Sequence, residues 1–244
     1  MTAHRHTGFS LTEVLLAVAT VAVGMLFIGG AFVLGIHYAA YATEQTLGAA
    51  VAKEAVSVAL LHGIYRPDLL SSDRQLPYTQ DHSGRVISDD DRLYPSISQL
   101  GVQQRQYYWQ ALCRSDPADP YSVLLTIFVC RTPQDQTDLP DPVLIRLTNF
   151  GKGLIPDQPG YVYDGGLLVR DNDGLICRAR RLSDQAKDLF VLKVGSHTEQ
   201  VPGEYWVIRP PKGKGRDPTL AVYQTRLTLA YPTWQAGSGA GGGG

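Results

Sequence analysis

The chain has 244 residues, 44% of them hydrophobic and 18% charged, with a formal net charge of −1. That length accommodates one anchor helix and one sizeable soluble domain. The charge balance excludes a bulk field drawing the protein toward nucleic acid or acidic lipid. With 13 tyrosines, 25 glycines and 15 prolines, the composition suits a domain rich in strands and turns.

The first eight residues carry Arg5, His4, His6 and the initiator amine, a positive flank. After Glu13, residues 14–36 hold no charged side chain and a single hydroxyl side chain, Thr20. A helix needs about 20 such residues to cross roughly 30 Å of hydrocarbon. A secretory signal has a shorter apolar core followed by a small-residue cleavage site. Here the suitably placed small residue, Gly8, precedes the core. Cleavage there would free an amine at Phe9 and keep the helix as an anchor, with the positive flank cytoplasmic. Phe9 and Glu13 are i and i+4, on one helical face. A carboxylate at the edge of an apolar segment is costly, and two explanations stay open. Glu13 either pairs with the new amine, in its own chain or a neighbour's, or caps the helix start and interacts with its dipole.

The stretch Thr7-Gly8-Phe9-Ser10-Leu11-Thr12-Glu13-Val14 and its apolar continuation resemble the type III signal of type IV pilins and the pseudopilins of type II secretion. The likeness runs from about Arg5 to Tyr41. It implies cleavage between Gly8 and Phe9 by a prepilin peptidase, N-methylation of Phe9, and pairing of Glu13 with the terminal amine of an adjacent subunit. The implied partners are that peptidase, other pilins or pseudopilins of the same filament, and an inner-membrane assembly platform. The implied location is the inner membrane, crossed once, with the leader cytoplasmic and the domain periplasmic, and incorporation into a periplasmic or surface filament. The implied fold is α+β: a long helix whose first half spans the membrane or forms the filament core and whose second half packs on an antiparallel sheet, pilin-like. No catalytic role, cofactor, metal or nucleic-acid partner is expected.

Further along, Leu47, Val51, Ala55, Val58 and Leu61 recur at helical spacing, with Lys53 and Glu54 off that stripe. His62-Gly63 reads as a stop, with Pro67 beyond. A helix over residues 9–62 would be roughly 80 Å long; the resemblance implies a loosened mid-helix segment in assembled filaments, for which Gly29-Gly30 is the candidate point. Ser10 and Thr12 can bond back to the helix or cap it. Residues 67–101 read as a long polar loop holding at most one short element, with Asp89-Asp90-Asp91 in a solvated loop. Strands are predicted over 107–114 and 121–131, with Val123, Leu125, Ile127 and Val129 facing the helix. More are predicted over 143–148, 205–209 and 221–229, and a hairpin over 166–182. The aromatic strand with Trp109, the short acidic turn and the apolar strand ending in Arg131 look like the sheet of minor pseudopilins. The division expected is leader 1–8, helix 9–62 with about 9–41 in the membrane, β-rich domain 63–236 and flexible tail 237–244.

Catalytic signatures are missing: no phosphate loop, dinucleotide fingerprint, nucleophile elbow or His-Glu-x-x-His. Asp171-Asn172-Asp173-Gly174 resembles the start of a calcium loop, but Leu182 stands where the twelfth-position Glu belongs, and a hairpin turn is the ordinary alternative. Cys113 and Cys130 can pair if their strands form a hairpin; otherwise all three cysteines, Cys177 included, are small buried hydrophobes. Two other functional readings compete. One is an anchored periplasmic enzyme or binding protein with an inert helix. The other is a DNA-uptake pseudopilin, which calls for a basic, aromatic face.

Overall fold

The computed structural model describes residues 10–63, 70, 73–80, 83–96, 105–133, 139–183, 186–210 and 217–228. The architecture is α+β, with one long helix, α1 (Leu11–His62, 52 residues), ahead of an antiparallel β-rich region. The chain divides into two compact units, Met1–Thr46 and Leu47–Gly244. The first contains the apolar part of α1, whose large side chains from Leu11 to Tyr41 are exposed. It is long and apolar enough to cross a membrane, and it stays helical through Gly29-Gly30.

In the second unit the end of α1 packs on a sheet, but not through the whole expected stripe. The buried helix residues are Gly48, Val51, Ala52, Ala55 and Ala59, while Leu61 is 80% exposed. The contact line is rotated toward small side chains because the sheet supplies the bulk: Trp109, Leu125, Ile127 and Val129 fill this core. A Cβ at Gly48 would lie 3.2 Å from Tyr223 Oη, so the helix approaches the sheet closely there. Leu60 and Leu61 therefore point away.

That sheet is built on a hairpin, β3 (Tyr107–Asp116) and β4 (Asp119–Arg131). The C-terminal strand β12 (Thr219–Thr228) adds to β4, and the two-residue strands β1 (Leu76–Pro77) and β2 (Leu93–Tyr94) both add to β3. Val123, Leu125, Ile127 and Val129 face the helix as their alternation predicts. The opposite face, with Tyr108, Leu112, Phe128 and Cys130, is equally buried, against Val169, Trp206 and Ile208.

Those partners belong to a second sheet, which the sequence reading of a single sheet did not anticipate. Strands β5 (Pro142–Phe150), β6 (Gly153–Pro156), β7 (Leu167–Arg170), β8 (Ile176–Ser183), β9 (Ala186–Val194) and β11 (Gly203–Ile208) close in the order β9-β6-β5-β11-β7-β8, with β8 pairing back to β9. The result is a six-stranded antiparallel barrel, with β10 (His197–Glu199) added to β9. Its interior is filled by Ile145, Leu147, Leu154, Phe190, Leu192 and Tyr205. Closure gives each of these six strands a paired neighbour on both sides.

Within the 67–101 connection, residues 89–92 form a short helical turn rather than loop, α2 (Asp89–Arg92), because Ser88 caps it: Ser88 Oγ accepts the Asp91 N–H at 3.3 Å, and Asp89 and Asp90 are exposed as expected. The tail 237–244 and the basic link 212–216 lie outside the described residues.

Candidate functional site

The site begins at the first turn of α1. Gly8 and Phe9, the expected processing pair, lie outside the described residues. Glu13 is described and exposed. Its Oε2 accepts the Ser10 backbone N–H at 2.9 Å, and Ser10 Oγ accepts the Glu13 N–H at 3.3 Å. Ser10 is thus the N-cap and Glu13 the third helical residue of a reciprocal capping box. Two of the four amide donors that every helix leaves unsatisfied at its start are engaged. Thr12 Oγ1 lies 2.8 Å from Ser10 Oγ and completes a small polar head. The carboxylate also stands at the positive end of the helix dipole.

Beyond this head the helix presents no other carboxylate until Glu44. Thr20 satisfies its own hydroxyl, which donates to Leu16 O at 3.1 Å and Ala17 O at 2.9 Å. Gly24, Gly29, Gly30 and Gly35 have nothing within 4 Å of where a Cβ would stand. On this segment Glu13 is the one acidic group, and its hydrogen bond from the Ser10 N–H uses Oε2 alone, which leaves Oε1 able to accept a further donor.

The Asp171–Gly174 segment is the turn joining β7 to β8, with Gly174 at φ 74°. Its carboxylates are committed to the protein. Asp171 Oδ1 accepts the Trp206 indole N–H at 2.7 Å and the Gln75 N–H at 3.1 Å, and Arg74 Nε lies 3.5 Å from Oδ2. Asp173 binds Arg170 Nη2 at 2.6 Å. Burial pushes the Asp173 carboxyl up, but the Arg170 and Leu175 hydrogen bonds outweigh it and hold the group below its ordinary value. Gly174 O accepts Gln224 Nε2 at 2.6 Å and Asn172 O accepts Arg114 Nη1 at 3.1 Å, so the turn docks on the first sheet. Sequence reasoning found the turn but not this junction, since Arg74, Gln75, Arg114 and Gln224 are remote in sequence. Among the described residues no cluster of three or more His, Cys, Asp or Glu side chains is placed to hold a metal ion.

The hairpin that would have allowed a disulfide does form, yet it separates the thiols. Cys113 stands opposite Leu125 and Cys130 opposite Tyr108. Cys113 faces the helix-side core and Cys130 the barrel side. All three thiols are free and buried. Burial pushes Cys113 up to about 12 and Cys177 up to about 11, away from thiolate chemistry. Comparison with family models, with curated proteins and with solved structures finds no match to this chain.

Proposed function

We propose that the chain is a prepilin-type subunit, a minor pilin or pseudopilin, anchored by α1 and built into a filament by that helix. The observation that carries the reading is the polar head of α1. A single carboxylate, Glu13, leads an exposed helical segment without other charges until Glu44. A carboxylate at the hydrocarbon edge is costly, and beyond capping its own helix through Ser10 it offers a neighbour's amine a counter-charge. The leader with Arg5, the Gly8-Phe9 pair and Glu13 spaced four residues from Phe9 supply the processing and assembly elements of the resemblance.

In this reading a prepilin peptidase cuts between Gly8 and Phe9, and the new Phe9 amine carries a positive charge that methylation preserves. In the filament, Glu13 of one subunit meets that amine on its neighbour, which offsets the cost of placing the carboxylate among apolar helices. The leader stays cytoplasmic and residues 47–244 are exported. The long helix with an antiparallel sheet on its second half fits a pilin-like plan, to which the closed barrel is an addition.

The test is intact-mass analysis of the membrane-extracted protein from a host containing a prepilin peptidase. The expected result is a chain beginning at Phe9. A chain that retains Met1 through Gly8, or is cut after Ile36, overturns the proposal.

A further inference from the structure

We infer that the outer face of strands β8 and β9 is a docking surface for the anionic headgroups of a lipid bilayer. The inference rests on the membrane anchoring proposed above. It starts from an unfavourable arrangement in the barrel. Arg178 on β8 stands directly opposite Lys193 on β9, and both are exposed. Like charges facing each other across an antiparallel pair weaken it. The row continues to Leu167 on β7 and Thr198 on β10, so it holds two cations and no carboxylate.

The neighbouring described groups offset this row only in part. Arg180, also exposed, follows two residues on, opposite half-buried Val191. Arg181 is exposed beside it. Asp164 serves these two: its Oδ1 accepts the Arg181 N–H at 2.9 Å and its Oδ2 lies 3.9 Å from Arg180 Nη1. Asp217, half-buried, accepts the Leu167 N–H at 3.1 Å and the Thr219 N–H at 2.8 Å, and its carboxylate also attracts Arg178, so it offsets that one cation from below the surface. Glu199 lies 3.9 Å from Arg170 at the other side of its strand. Asp188 has the strand parity of buried Phe190, not of Lys193. Among the described residues the row Arg178–Lys193 has no exposed counter-charge and the half-buried Asp217 offsets only Arg178, a local conflict of the kind that marks a functional surface.

The bilayer fits this surface in charge and in supply. Each cation near an anionic leaflet raises affinity roughly fivefold, too little for a free protein with so few. A chain held by its own apolar helix meets that leaflet at high effective concentration, and then a few cations suffice. Leu182, 42% exposed, and Val191 lie among the cations and suit the apolar layer beneath the headgroups.

The experiment uses the full chain reconstituted into vesicles of phosphatidylcholine, with or without phosphatidylglycerol. Thr198→Cys carries an environment-sensitive dye; the three native thiols are buried and stay unlabelled. A headgroup-attached nitroxide reports contact. Quenching should be several-fold deeper in the anionic vesicles, and high salt or the pair Arg178→Ser and Lys193→Ser should remove the difference. Lys193→Glu should also remove it while raising the denaturation midpoint, because the facing charges become opposite. Equal quenching in both lipids, or no loss in the variants, overturns the inference. So does a lowered midpoint in Lys193→Glu. Flotation of the chain with anionic vesicles alone would sink the anchoring reading and leave the surface standing; flotation with neither sinks both.

Discussion

The indole N–H of Trp206 donates to Asp171 Oδ1 at 2.7 Å, and the same oxygen accepts the Gln75 backbone N–H at 3.1 Å. One carboxylate thus joins β11, the β7–β8 turn and the approach to β1, so it ties the barrel to the first sheet. Asp171 is buried and so is Trp206.

Asp171→Ala leaves two buried donors without an acceptor, which costs about 2–3 kcal/mol. Asp171→Asn keeps an acceptor and should cost less. Chemical denaturation of the full chain in mild detergent, followed by tryptophan fluorescence, reads both. An alanine variant with an unchanged midpoint would show that the junction contributes nothing.

Acid should loosen the same region. Glu204 accepts Arg146 Nη2 at 2.9 Å and Arg74 Nη2 at 3.1 Å, and the Arg146 bond leads the causes that hold its carboxyl below the ordinary value. Asp173 is shifted the same way. A carboxyl with a depressed folded value contributes stability above its unfolded value and loses it as pH falls through the folded one. Stability should therefore decline below the ordinary carboxylate range. Glu204→Gln should flatten part of that slope, and a slope identical to wild type counts against the assignment. Because Glu204 is only half-buried and both its arginine partners are exposed, the effect is small and salt-sensitive.

The two roles of Glu13 separate by substitution. Glu13→Gln can keep the reciprocal cap with Ser10, since glutamine serves at that position, but removes the charge. Glu13→Val removes both and should leave membrane insertion intact or improved. Filament recovery should fall in both variants, measured in sheared or cross-linked material against membrane fractionation. Normal recovery for Glu13→Gln would assign Glu13 to helix capping alone.

The thiols should be silent. Cys113, Cys130 and Cys177 are buried, and burial pushes each above its ordinary value. Alkylation at neutral pH should add no mass to the folded chain and three adducts after denaturation. Rapid labelling of the native protein would contradict the packing described for β3, β4 and β8.

A chain beginning at Thr43 should be soluble and folded. It drops the exposed apolar segment and keeps Gly48, Val51, Ala52, Ala55 and Ala59 against their sheet. Circular dichroism of that fragment should show the β-rich spectrum with a helical contribution. An unfolded fragment would place the boundary wrongly.

What residues 10–62 say on their own is nearly complete: the uncharged run, Ser10 three before Glu13 and the stop at His62-Gly63 specify a long helix and its cap. Those are local signals, because helix hydrogen bonds and caps join residues three or four apart. The hairpin β3–β4 is legible for the same reason, through alternation across a short turn. The rotation of the helix contact onto Gly48, Ala52 and Ala59 is not legible in the helix, because the size of the opposing Trp109 and Tyr223 decides it. Nor are the barrel's closure by β8 on β9, the opposition of Arg178 to Lys193 and the meeting of Gln75 with Asp171. Each joins segments through register or long-range packing, and a one-residue slip in register reverses which side chains face each other. Tertiary structure alone settles those pairs.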